Sequence, residues 1–199
     1  MRVIAGEFRS RKLKSLEGMA TRPTPDRLRE SLFSILTPRI EGAVFIDAYA
    51  GTGAVGIEAL SRGAARVVFM ESSPAALRVI EDNLYSLGIG NRGTVARGRV
   101  SVSLRKHALD ATIVFADPPY EDDDEYSETL DWLGANAASP LVVVQHHPKR
   151  ILNEGYGGLR RGRIVRQGGN VLTFYEPGAV NFTPQFGITT PESTPESGV

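Results

Sequence analysis

Ala43-Val44-Phe45-Ile46-Asp47-Ala48-Tyr49-Ala50-Gly51-Thr52-Gly53-Ala54-Val55-Gly56 is the stretch on which the fold turns. Its first half is an apolar run of strand length; its second half is a glycine loop opening a helix that runs to Gly63. A buried strand, a glycine turn and a helix form the first unit of an open parallel α/β sheet. The glycines let backbone approach a ligand closely, and the helix start offers N–H groups that no earlier carbonyl satisfies. Gly51-x-Gly53-x-x-Gly56 also meets the dinucleotide fingerprint, and Glu71 stands 20 positions after Gly51, where a ribose-binding acid belongs. A nicotinamide enzyme is therefore one reading to weigh.

Downstream the alternation continues. Residues 66–70 read as a second strand, and Ser73 with Pro74 caps a helix carrying Leu77, Ile80, Leu84 and Leu87 on one face until Gly88. A weaker strand at 94–96, a helix at 100–107, an apolar strand at 111–116, an acidic helix at 126–137 and a strand at 141–145 follow. The series closes with β-rich runs at 160–166 and 171–175 around Gln167-Gly168-Gly169-Asn170, a hairpin at one side of the sheet. Upstream, Thr24 as N-cap, Pro25 at the first helical position and Asp26 in the first turn start a helix. Leu28, Leu32, Ile35 and Leu36 form its apolar face, and it is expected to stop before Pro38. Residues 1–16 read as a small hairpin or extended arm, basic outside and anchored by a buried Phe8.

Composition narrows the function classes. With no cysteine, disulfides, thiolate zinc sites and cysteine nucleophiles are excluded together. His107, His146 and His147 lack the spacing of a metal site, so no metal is expected. No apolar run has membrane-span length and no cleavable signal precedes the first strand, so the expectation is a cytoplasmic protein without a membrane partner. Net charge is zero, so a polyanion must be met by a local patch. Residues 1–40 supply one, with nine Lys or Arg against four acids, whereas residues 121–131 are strongly acidic, and the loop 121–125 within them reads as a rim or moving lid.

The second chemistry-bearing stretch is Asp117-Pro118-Pro119-Tyr120, placed directly after the apolar run at 111–116. A strand ending in an acid, two prolines and an aromatic sets a carboxylate, free carbonyls and a flat ring at the sheet edge where ligands bind. Such a turn suits holding an amino group. Asp47 places an acid beside the glycine loop, which opposes a pyrophosphate and suits the ammonium of an amino-acid-like ligand. S-adenosylmethionine fits both stretches: it has an ammonium, no phosphate, and ribose hydroxyls for Glu71.

Arg22-Pro23-Thr24 with Asp26-Arg27-x-Arg29-Glu30-x-Leu32-Phe33, Asp47 to Gly53 continuing to Glu58-Ala59-Leu60-Ser61-Arg62-Gly63, and Asp117 to Tyr120 together resemble the bacterial RsmD family, 16S ribosomal RNA guanine-N2 methyltransferases. The likeness runs in order over residues 1–177. It implies a Rossmann-like class I methyltransferase, α/β, with a seven-stranded, mainly parallel sheet whose last strand is antiparallel, plus a small N-terminal β arm. Residues 1–20 would be the RNA-contacting arm, 21–177 the methyltransferase domain, and 178–199 a flexible tail. The implied catalytic group is Asp117, Pro118 and Tyr120. Asp47, Tyr49, Gly51, Gly53, Glu71, Ser72 and Val100 would hold S-adenosylmethionine. Arg9, Arg11, Lys12, Lys14, Arg22, Thr24 and Arg27 would meet the partner, 16S ribosomal RNA, free or within a small-subunit assembly particle, with the protein a monomer. One departure stands after the third strand: Arg97-Gly98-Arg99-Val100 replaces the small polar or acidic residue that relatives place beside adenine. Asp-Pro-Pro-Tyr also occurs in methylases of amino groups on adenine and cytosine in DNA, so another base or DNA remains an alternative substrate, beside the nicotinamide oxidoreductase.

Overall fold

The computed structural model describes residues 1–16, 25–120, 122–136 and 140–178. In chain order these residues form α1 (Asp26–Ile40), β1 (Val44–Ala48), α2 (Ala54–Ser61), β2 (Arg66–Glu71), α3 (Pro74–Leu87), β3 (Gly93–Arg97), α4 (Val100–His107), β4 (Ile113–Ala116), α5 (Asp123–Asn136), β5 (Leu141–His146), β6 (Gly155–Tyr156), β7 (Leu159–Gln167) and β8 (Asn170–Pro177). The strands make one sheet in the order β3-β2-β1-β4-β5-β8-β7-β6. Strands β1 to β5 are mutually parallel, and β8 enters antiparallel between β5 and β7. The expected α/β class and mainly parallel sheet are thus present. The described sheet has eight strands where seven were expected, because the two-residue β6 pairs with the start of β7. Two residues are too few to leave a periodicity in the sequence.

The sheet is covered on both faces because its central strands alternate two sets of apolar side chains. Phe45, Phe69, Phe115 and Val143 face one core with α1, α2 and α3; Ile46, Ala48, Val114 and Val144 face another with α4 and α5. Two differences from the sequence reading concern α1. Pro25, not Thr24, is the N-cap residue, its carbonyl accepting from the Leu28 and Arg29 amides; Thr24 and Arg22 lie outside the described residues, as does the tail beyond Gly178. The helix also runs through Pro38 to Ile40. Proline in the last turn removes only the donor for the Ser34 carbonyl, Ser34 is exposed to water, and burying Leu36 and Ile40 offsets the loss.

Residues 1–16 do not form a ladder of two strands; a single bridge joins Arg2 to Lys12. They are docked instead on α2 and α3. Val3, Phe8 and Leu13 are buried in the α1–α2–α3 core, so Phe8 is the anchor that was expected. The fully buried Glu58 carboxylate accepts from the Ile4 amide at 2.8 Å, the Ala5 amide at 3.0 Å and Arg62 Nε at 2.7 Å. Arg29, also fully buried, lies 4.0 Å from Glu58 and donates to the Arg2 carbonyl and to Asp26 Oδ1, each at 2.8 Å. Gly6 closes the seam: at φ +84° it sits where a Cβ would come within 1.7 Å of the Ser61 carbonyl oxygen. Glu58→Ala should therefore cost about 3–5 kcal/mol in chemical denaturation, because it leaves two arm amides unmet, removes the partner of Arg62 and leaves the buried Arg29 with Asp26 alone as counter-charge.

Candidate functional site

Strand order reverses between β1 and β4, neighbours whose following helices pack on opposite faces. The loops after them part there and open a crevice at the carboxyl edge. The glycine loop leaves β1 into this crevice and the Asp117 turn leaves β4 beside it, the Asp117 amide donating to the Ala48 carbonyl at 3.4 Å. Gly51 (φ +55°) and Gly53 (φ +77°) adopt the left-handed conformation, and a Cβ on Gly51 would meet nothing within 4 Å. Gly56 serves packing instead: a Cβ there would come within 2.3 Å of Phe69, so α2 lies hard against β2.

Three carboxyl groups converge on the crevice. Asp47 is buried and its Oδ2 accepts from the Gly56 amide at 2.8 Å. Burial raises its pKa to about 8, opposed by the Gly56 hydrogen bond and reinforced by the nearby Asp117 and Glu71 charges. The sequence reading treated Asp47 as a standing negative charge. In the structure burial opposes that charge, so a cation arriving beside Asp47 would favour its ionisation. Glu71 is half-buried; its Oε2 accepts from the Gly51 amide, and its Oε1 from the Ser72 and Ser73 amides, all at 2.8 Å. It thus ties the glycine loop to the end of β2 while Oε2 keeps lone-pair capacity for a hydroxyl. Asp117 is pushed up to about 7 by burial.

Around Asp117 the turn is fastened from several sides. Gln145 Nε2 donates to Asp117 Oδ2 at 3.0 Å and to the Tyr120 hydroxyl at 3.3 Å, and that hydroxyl donates to Asn170 Oδ1 at 2.7 Å. The Tyr126 hydroxyl bonds to the Pro118 carbonyl at 3.2 Å. Arg150 donates to the Tyr120 carbonyl at 2.6 Å, pairs with Asp123 at 2.5 Å and lies 3.9 Å over the Tyr126 ring. Tyr120 is 41% exposed, enough to offer ring area to a base, with His147 beside it at 6.2 Å. Gln145, Asn170 and Arg150 were not singled out from sequence. Only Gln145 left a signal, as the polar end of the apolar run Leu-Val-Val-Val-Gln.

The remaining residues are placed as follows. Tyr49, at φ +63°, donates its hydroxyl to Glu125 Oε2 at 2.5 Å and bonds Thr129 Oγ1 at 2.8 Å. Burial and that acid push its phenol well above the usual range, so it stays neutral and couples the glycine loop to α5. The acidic segment is correspondingly engaged, with Glu125 on Tyr49 and Asp123 on Arg150. Ser72 is exposed beside Glu71; Val100 is buried at the start of α4. Arg99 extends outward, 68% exposed and 3.9 Å from both Glu125 and Glu128. Of the basic set, Arg27 is exposed on α1, one turn before Ser31, whose hydroxyl donates to Gln167 at the hairpin tip. Lys14 pairs with Asp82, and Arg11 donates to the Ser86 carbonyl near the end of α3. Arg9, Arg11 and the arm's turn therefore lie where α2 and α3 end, toward the sheet edge opposite Asp117; Lys12 is exposed beside them. His146 is buried, its pKa lowered by burial, and bonds Thr173. Among the described residues, no group of three or more His, Cys, Asp or Glu could hold a metal ion, and no helix is long and apolar enough to cross a membrane.

A family model described as "Conserved hypothetical protein 95" matches residues 1–176. The chain belongs to this family. It is 37% identical over 188 residues to "Putative rRNA methyltransferase YlbH" of Bacillus subtilis, covering 88% of this chain and 98% of the relative. It is 38% identical over 150 residues to "Ribosomal RNA small subunit methyltransferase D" of Escherichia coli, covering 73% and 74%. The RsmD resemblance read from the sequence is borne out. Among solved structures, "Putative methyltransferase yhhF" from Escherichia coli superposes with a TM-score of 0.80 at 32% identity, over 90% of this chain and 98% of that one. A Salinibacter ruber RNA methyltransferase in complex with S-adenosyl-L-homocysteine shares the fold, with a TM-score of 0.62 at 17% identity over 88% and 100%.

Asp47 gives a stability test for the family's glycine loop. Its folded pKa lies above its unfolded one, so its contribution is favourable in acid and is lost as pH rises from about 4 to about 8. Asp47→Asn keeps an oxygen for the Gly56 amide and no charge. Thermal denaturation followed by circular dichroism should show a Tm gain that grows over that range and reaches at least about 3 °C at pH 8.

Proposed function

We propose that this protein transfers a methyl group from S-adenosylmethionine to the N2 amino group of a guanine in 16S ribosomal RNA. The observation that carries the reading is the meeting, at one edge of the sheet, of an open glycine loop, two acids suited to an ammonium and ribose hydroxyls, and an acid–proline–proline–tyrosine turn. The names of the relatives, rRNA methyltransferases, support methyl transfer to ribosomal RNA.

The residues fit S-adenosylmethionine better than a pyrophosphate cofactor. Gly51 leaves room for close approach, Gly53 supplies the left-handed turn into α2, Asp47 would meet the ammonium, and Glu71 retains an acceptor for ribose. An ammonium beside Asp47 would draw its pKa down and stabilise the ionised form, which links binding to deprotonation. A pyrophosphate brings no cation to compensate these acids and would oppose their ionisation, which counts against the nicotinamide oxidoreductase. Tyr49 walls the pocket, with Ser72 and Val100 at its border.

S-adenosylmethionine supplies an electrophilic methyl group on a sulfonium, so the chain's task is alignment and removal of water. Asp117 and the Pro118 carbonyl accept hydrogen bonds from the exocyclic amino group and hold its lone pair toward the methyl. Tyr120 stacks on the base, an interaction worth about 1–3 kcal/mol. The raised pKa of Asp117 places it nearer than an ordinary carboxylate to the range where it could take the proton that leaves the nitrogen. Arg27 would meet the RNA near the site, Arg22 and Thr24 are further candidates for RNA contact, and Arg9, Arg11, Lys12 and Lys14 would reach backbone further away. The protein would act as a monomer in the cytoplasm.

The test uses undermethylated small-subunit RNA or particles with labelled S-adenosylmethionine, followed by mass spectrometry of the nucleosides. N2-methylguanosine should be the product, and Asp117→Ala should lower kcat by at least about 100-fold with cofactor Kd little changed. N6-methyladenosine as product, or near wild-type turnover by Asp117→Ala, would refute the reading.

A further inference from the structure

The end of β5 carries a carboxamide where its preceding residues are apolar. Gln145 is 2% exposed and points to the α1 side of the sheet, the side that Asp117 also faces. Both hydrogens of its amide are committed, one to Asp117 Oδ2 at 3.0 Å and one to the Tyr120 hydroxyl at 3.3 Å. The amide nitrogen faces Asp117 Oδ2, the polarity that suits the ionised carboxylate, which only accepts. The Tyr120 oxygen therefore accepts from Gln145, and its own proton goes to Asn170 Oδ1 at 2.7 Å. On the other side of the amide, Gln145 Oε1 is buried and has no hydrogen-bond partner among the described residues. A buried carbonyl left unmet opposes folding, so sheet stability does not account for this side chain. Asp117 Oδ1, in contrast to Oδ2, takes no hydrogen bond among the described residues and is the oxygen left for an incoming donor.

We propose that Gln145 is the positioning residue of the target turn. Its amide occupies Oδ2 of Asp117, which turns Oδ1 toward the substrate's amino group, and by holding the Tyr120 hydroxyl it fixes the ring on which the base stacks. One side chain thus sets both the acceptor and the stacking platform. The inference rests on the methyl-transfer reading of Asp117 and goes beyond it by assigning the group that keeps the carboxylate in its accepting form. Burial alone pushes the Asp117 carboxyl up to about 7, and a donated hydrogen bond favours the ionised state against that burial.

The experiment is the pH profile of kcat/KM for RNA in the full-length protein. Gln145→Met keeps the shape and removes the donor. Without it the carboxylate is harder to ionise, so the acid limb should move up by about one pH unit and kcat/KM at pH 7 should fall about fivefold, recovering in part above pH 8. Affinity for S-adenosylmethionine, measured by calorimetry, should stay within about twofold. Tyr120→Phe removes the hydroxyl held by Gln145 and Asn170 and leaves the Gln145–Asp117 bond: KM for RNA should rise while the acid limb stays in place. If Gln145→Met does not fold, Gln145→Asn keeps the carboxamide but is one methylene too short to span both partners, and it should show the same shift. An unmoved acid limb with unchanged kcat in a folded Gln145 variant overturns the inference. If Asp117→Ala is inactive in the same assay, that failure belongs to the inference alone; if Asp117→Ala is active, the reading of the turn fails with it.

Discussion

The parallel pairing of β1 with β4 is the constraint from which the rest of the site follows. Phe45 to Ala48 pair in register with Ile113 to Ala116, so the two strands end level, with Asp47 and Asp117 at their carboxyl edge. Because β2 continues on the far side of β1, the two exit loops diverge and leave a crevice between them. Each carboxyl is buried there and its pKa rises for that reason, Asp117 adding its charge to the rise at Asp47. A fold optimised only for stability would not put two acids there. Their placement becomes favourable when a cation and a hydrogen-bond donor arrive together, as the proposed reaction requires.

A second buried charge cluster does structural work of a different kind. Glu58 and Arg29 bring α1, α2 and the first residues of the chain into one core. The sequence signature around Arg22 to Phe33, which carried much of the family resemblance, therefore divides by role. Arg29 is wholly internal and binds the Arg2 carbonyl, whereas Arg27 two positions earlier faces water. A motif can be specific to a family because it fastens one element to another, without any of the fastened residues touching substrate.

Coupling between the two loops is equally physical. Tyr49 leaves the glycine loop in a left-handed conformation that a tyrosine adopts only under constraint, and its hydroxyl is gripped by Glu125 and Thr129 of α5. α5 also contributes Tyr126 to the Pro118 carbonyl and Asp123 to Arg150. The acidic segment read from sequence as a rim or lid is thus bonded to both loops, and its first-turn acids suit a helix N-terminus.

The type and order of the main elements were legible in the chain because their signals are local: apolar periodicity, Ser73 before Pro74, Gly88 in the left-handed conformation after α3. Asp117, Glu71 and the Gly51–Gly53 loop were legible for the same reason, each lying where an apolar run stops. Where local signals conflicted with packing, packing won, and α1 passes Pro38 to bury Ile40. The residues that fasten the target turn could not be read. Gln145, Arg150 and Asn170 lie 28, 30 and 50 positions from the groups they hold. Their meeting depends on β5 lying beside β4 and on β8 inserting antiparallel next to β5. The sequence by itself thus determined which chemical groups end the strands. Only the tertiary structure decided which of them face one another, how far burial shifts their charge, and that the basic turn of the arm lies toward the other edge, because strand order and helix length are properties of the packed sheet rather than of any single segment.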